Sequence, residues 1–144
     1  MNYFVDTEFH EDGKTIDLIS VAIVAEDGRE LYMVSSEFDE LYAWSNNWLA
    51  KNVLPYVQEG ERFTRAEIAA AIKHFCSPEK YGTPEFWGYF CDYDWVALCQ
   101  LFGRMIDLPQ GWPMYCRDLK QLGDGRKPGK KLKQSGEHHA LEDA

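Results

Sequence analysis

Three short apolar stretches separated by polar turns fill the first 35 residues. Tyr3-Phe4-Val5-Asp6-Thr7-Glu8-Phe9 begins apolar and ends on alternating acids, a pattern that predicts a β-strand. Residues 16–25 are β-branched and apolar almost without interruption, as in a largely buried strand. Residues 31–35 predict a third. The segments between them, His10-Glu11-Asp12-Gly13-Lys14-Thr15 and Glu26-Asp27-Gly28-Arg29, each hold an Asp-Gly pair, a strong hairpin signal. Consecutive strands joined by tight turns make an antiparallel meander.

The period then lengthens. Residues 40–57, with Tyr42, Trp44, Trp48 and Tyr56, predict one helix with irregular flanks; Ser45-Asn46-Asn47 is its weak point and Pro55 lies near its end. Thr64-Arg65-Ala66-Glu67 is a capping box opening a helix over residues 65–75, which stops before Pro78. Residues 85–90 predict a fourth strand, residues 93–102 a helix, residues 114–116 a short fifth strand and residues 117–122 a short helix. Residues 123–136 hold Arg126, Lys127, Lys130, Lys131 and Lys133 with four glycines and a proline, and have little to bury. That predicts a basic loop, either a solvated surface or an arm that contacts phosphates. Residues 137–144 have helix-forming composition. The whole order predicts a single α/β domain over residues 1–144. Its sheet is mixed and five-stranded, a three-stranded antiparallel meander plus two parallel strands, flanked by helices.

Composition narrows the classes. A chain of 144 residues suits one compact domain with a real core, and its aromatic content of 15% argues against disorder. The net charge of -9 is not that of an ordinary nucleic-acid binder, although an acidic cluster holding cations would account for it. Cys76, Cys91, Cys99 and Cys116 form no C-x-x-C pair and sit among apolar residues, so buried free thiols are expected. No signal peptide or membrane-spanning run is visible, which points to a reduced, cytoplasmic protein with no membrane partner.

The chemistry sits at a few acids. Asp6 and Glu8 are two apart in a strand and therefore share a face. Such a pair beside a core needs a cation or a proton, or else is a strand edge facing water. Asp92 and Asp94 stand where the fourth strand passes into a helix, the crevice in which α/β proteins hold ligands. His138-His139-Ala140-Leu141-Glu142-Asp143 closes the chain. Singly, Asp94 reads as a helix cap and the histidines as exposed. Together, ordered acids and a histidine point to a divalent-metal site.

These motifs resemble the DEDDh 3′–5′ exonucleases, and within them the RNase AS group of bacterial exoribonucleases that act on adenylate-rich RNA 3′ ends. The likeness rests on Tyr3-Phe4-Val5-Asp6-Thr7-Glu8-Phe9 followed by Glu11-Asp12-Gly13, on Val24-Ala25-Glu26-Asp27-Gly28-Arg29-Glu30, on Tyr93-Asp94-Trp95-Val96-Ala97-Leu98-Cys99-Gln100-Leu101, and on the H-x4-D spacing of His138 to Asp143. The resemblance implies an RNase H-like fold and two divalent cations, Mg²⁺ or Mn²⁺, held by Asp6, Glu8, Asp94 and Asp143. It implies His138 as general base, single-stranded nucleic acid 3′ ends as substrate with RNA favoured over DNA, and a homodimer. Phe9, a residue type more often core than contact, is with Thr7 an expected substrate contact, since an aromatic face stacks on any base. Asp92 is the competitor of Asp94, and His139 has the three-residue spacing of a sister group in which tyrosine replaces the histidine. A non-catalytic nucleic-acid-binding or dimerisation module on the same fold is the reading from another class. Family members continue their last helix past the final aspartate, whereas only Ala144 follows Asp143; a shortened, weakly anchored helix is the expectation here.

Overall fold

The computed structural model describes residues 1–124 and 140–144. β1 (Asn2–Glu11), β2 (Ile16–Ala25) and β3 (Glu30–Ser35) form the expected antiparallel meander. Its two turns place Gly13 and Gly28 at φ of 81° and 86°, the left-handed region that the Asp-Gly pairs require. Then come α1 (Glu40–Ser45), α2 (Asn47–Asn52), α3 (Leu54–Val57), β4 (Arg62–Phe63), α4 (Arg65–Phe75) and α5 (Pro78–Tyr81). They are followed by β5 (Glu85–Gly88), α6 (Asp92–Gln100), a 3₁₀ turn (Met105–Asp107), β6 (Arg117–Asp118), α7 (Leu119–Gly123) and α8 (Ala140–Asp143). The strands form one mixed sheet in the order β4-β3-β2-β1-β5-β6.

Three expectations need correction. The sheet has six strands rather than five, because β4 pairs parallel to the end of β3. Two residues carry no period, so no pattern announces such a strand. The strand expected at 114–116 forms instead at β6, where Arg117 and Asp118 pair with Trp87 and Gly88. Asp118 then caps α7 by accepting from the backbone N–H groups of Lys120 (2.6 Å) and Gln121 (3.1 Å), which sets the helix start two residues later than expected. Finally, residues 40–57 form three helices, not one. The Asn46 side chain accepts from the N–H groups of Trp48 and Leu49 and so opens α2. The next break falls at Val53, beside Pro55, which has no N–H to continue the ladder.

The main core lies on one face of the sheet. Tyr3, Val5, Val21, Ile23 and Phe86 pack there against Ile68 and Ile72 of α4 and Trp95 and Leu98 of α6. A smaller core joins Ile19 and Val34 to Phe38 and to Ala43, Leu49, Val53 and Leu54 of α1–α3. A register shift makes this second core possible: Glu8 pairs with Ser20 but Phe9 pairs with Leu18, so Ile19 is an extra residue. The capping box of α4 is present, with Thr64 and Glu67 bonded reciprocally. α8 lies against β1, β2 and β3, and Ala140 is fully buried. All four cysteines are free, three of them buried and Cys116 half-buried. No helix among the described residues is long and apolar enough to cross a membrane.

Candidate active site

β1 is the frame. Its alternation turns Tyr3 and Val5 into the main core, buries Thr7 on the same face, and leaves Asp6 and Glu8 half-buried on the opposite one. The two acids stand opposite Ala22 and Ser20 of β2. Burial pushes the phenol of Tyr32 up, the Ser20 hydroxyl beside it draws it back, and the Glu8 carboxylate raises it further. Tyr32, Ser20 and Glu8 therefore form a polar row across three strands, and sequence reasoning had not marked the first two.

On its other edge β1 has a partner for only part of its length. β5 pairs with Asn2, Tyr3 and Phe4, then ends at Gly88 and turns into α6. A carboxylate occupies the space beyond. Asp94 Oδ1 accepts from the Thr7 N–H (2.8 Å) and from Thr7 Oγ1 (2.7 Å). Thr7 stands between Asp6 and Glu8, so this clamp ties the aspartate of the second motif to the centre of the first. Asp94 is only 8% exposed. Burial raises its pKa, and the two Thr7 bonds, which favour the charged form, partly offset that. Its competitor Asp92 is exposed.

The turn that delivers Asp94 is tightly packed. A methyl group on Gly88 would lie 2.5 Å from Cys91 Cβ and 3.0 Å from the Val5 carbonyl oxygen, so β5 leaves β1 where only glycine fits. Asp118 reaches across from β6 and accepts from the Cys91 N–H at 3.2 Å. Asp92 and Asp94 both fall in the first turn of α6, where the helix dipole favours negative charge.

Thr7, expected as a substrate contact, is buried with both its donors on Asp94. The D-x-E pattern gave no sign of this, although a threonine between the acids supplies the one hydroxyl that can make the second bond. Phe9 stacks on Tyr93, with ring centroids 5.8 Å apart and planes 12° from parallel. His138 and His139 lie outside the described residues, as do residues 125–136 of the basic segment. Position 143 ends α8, the helix laid across β1, β2 and β3, so the last motif's backbone meets the strand that carries the first.

Carboxylates match hard divalent cations in donor chemistry. A cation would also offset the burial cost that now raises the Asp94 pKa. Among the described residues, no group of three or more His, Cys, Asp or Glu stands close enough to hold an ion. Asp6, Glu8 and Asp94 thus do not by themselves form such a group.

The 3′-5′ exoribonuclease Rv2179c-like domain matches residues 1–144, the full chain. Two curated proteins from Mycobacterium tuberculosis are similar to it. The 3′-5′ exoribonuclease Rv2179c of strain ATCC 25618 / H37Rv is 44% identical over 129 residues, covering 88% of this chain and 76% of its own length. The 3′-5′ exoribonuclease MT2234.1 of strain CDC 1551 / Oshkosh shows the same identity and coverage.

Proposed function

The chain belongs to the Rv2179c-like 3′-5′ exoribonuclease domain family, and on that premise we propose that it shortens single-stranded RNA from its 3′ end. The reading takes the chain as a DEDDh-type nuclease on an RNase H-like fold. Asp6, Glu8, Asp94 and Asp143 would hold two divalent cations, Mg²⁺ or Mn²⁺. Bound there, such ions supply an activated water and neutralise charge at the scissile phosphate. His138 would serve as general base, a role that imidazole suits near neutral pH. The Phe9–Tyr93 stack offers an aromatic surface beside the acids for the terminal base.

The observation that carries the reading is the Thr7–Asp94 clamp, which brings the aspartate of a later motif onto the D-T-E strand. The test uses matched 5′-labelled and 3′-labelled RNA and DNA oligomers with Mg²⁺ or Mn²⁺, with Asp6→Ala in parallel. Stepwise loss from the RNA 3′ end, abolished in the variant, is the expected result. Cleavage indifferent to that substitution overturns the assignment. An adenylate run against a uridylate run reads the base preference.

A further inference from the structure

A pair of aromatic rings beside the site is unusual in three ways. Tyr89 and Phe90, on the turn between β5 and α6, are each 62% exposed. Large apolar side chains are not left in water by packing alone, and here two stand side by side, with centroids 4.9 Å apart and planes at 77°. Phe90 is also the only non-glycine residue at positive φ (56°) among the described residues. An aromatic residue there carries backbone strain that glycine or asparagine would relieve. Third, the turn is held in this strained shape. Asp118 accepts from the Cys91 N–H and also from the N–H groups of Lys120 and Gln121, which ties the turn to the start of α7. The fold thus spends conformational energy to present a ring to solvent.

The surroundings suit one class of occupant. The Lys120 ammonium, paired with the exposed Asp124 carboxylate at 2.6 Å, lies 5.9 Å from the centre of the Phe90 ring, so a cation that a phosphate can draw from its surface partner stands beside an open aromatic surface. A nucleotide brings both complements, a flat π-face for the ring and a phosphate for the ammonium. β1 and β5 are parallel, so the acids at the end of β1 and the rings just after β5 lie at the same end of the sheet. Phe90 is four residues before Asp94, whose clamp fixes their separation.

We propose that Tyr89 and Phe90, with Lys120, form a second stacking platform. It holds a base of the RNA strand upstream of the scissile bond, while the strand's 3′ end lies at the acids. The platform rests on the exoribonuclease reading and adds a site to it. It is tolerant of base identity, because every base has a π-face, and it favours strands long enough to reach from the acids to the ring.

The test pairs binding with stability. An RNA oligomer carrying 2-aminopurine near its 3′ end, with phosphorothioate linkages to slow hydrolysis, is titrated with the protein. The probe is quenched when stacked on the ring. Phe90→Gly and Phe90→Asn remove the ring and suit the backbone, so each is expected to melt no lower than the parent. Each should lose the quenching and bind RNA roughly tenfold more weakly, a stacking contribution of ordinary size. Phe90→Trp should restore the quenching. In steady-state assays on unmodified RNA, Phe90→Gly should raise KM with kcat kept. Parent-like quenching and KM in Phe90→Gly, or a fall in melting temperature that accounts for the lost binding, overturns the platform. A parent protein that shortens RNA while Phe90→Gly does so equally well leaves the exoribonuclease reading standing and removes only this site. Failure of the parent to shorten RNA at all defeats the reading itself.

Discussion

At the scale of single residues, Asp94 sets the energetic character of the site. It is a carboxylate taken out of water, bonded by one threonine, and raised in pKa because burial disfavours its charge. Asp94→Asn keeps an acceptor for both Thr7 bonds and deletes the charge. Without divalent ions the variant should melt at or above the parent temperature at pH 7. Added Mg²⁺ should raise the melting temperature of the parent and leave the variant unmoved. An ion present at a hundred times its Kd stabilises by about 2.7 kcal/mol, so the shift is easily read by calorimetry. Equal response of both proteins to Mg²⁺ would remove Asp94 from the proposed ion site. That Asp94 comes to the strand of Asp6 and Glu8 was legible in the sequence, because a carboxylate at a strand-to-helix junction faces the crevice beside the first strand. The role of Thr7 was not, since a hydrogen bond between positions 7 and 94 depends on where β5 stops, and strand ends leave little trace in composition.

At the scale of elements, the β5–α6 turn leaves no room for a side chain at Gly88. Gly88 has the Cys91 side chain and the Val5 backbone within contact of any added methyl group, and backbone cannot swing away. Gly88→Ala should therefore cost about 1–3 kcal/mol of stability, the usual penalty of overpacking, measured by urea unfolding. Because the same turn carries Asp94, RNA shortening should fall further than stability alone explains at temperatures where the variant is folded. A Gly88→Ala protein with parent-like stability and rate would contradict this account. The meander and α4 were readable because Asp-Gly turns and a capping box are local signals. The break at Asn46 was visible as a polar interruption but not as a cap, for its meaning depends on which backbone N–H groups face it. β4 and β6 are two residues each and exist through their neighbours β3 and β5. Tertiary pairing, not propensity, creates such strands.

At the scale of the molecule, charge and proposed substrate oppose each other. The chain carries 24 acidic residues and 15 lysines and arginines, a net of -9, while RNA is a polyanion. Five of those fifteen cations fall within residues 126–133. Association with RNA should therefore be weak in EDTA and tighten at least tenfold with Mg²⁺, as read by fluorescence anisotropy on a phosphorothioate oligomer at fixed ionic strength. Binding that ignores EDTA and falls steeply with salt would assign the affinity to the basic segment instead, since released counterions make such contacts salt-dependent. The α/β class and mixed sheet were readable from element order. The count of strands and the meeting of α8 with β1 were not, being properties of the packed whole.

The clamp at Thr7 also bears on how the first motif should be written. A residue between two acids is ordinarily treated as free, an x in D-x-E. Here the middle position faces the core at 6% exposure and supplies a β-branched body and a hydroxyl donor to the buried Asp94. Valine fits the shape but leaves a charged acceptor one bond short, a loss of about 1–3 kcal/mol. Serine keeps the donor and little else does. The unit that this chain presents is thus D-[ST]-E, three constrained letters rather than two, and a pattern that leaves the middle letter open discards a constraint that the buried Asp94 imposes.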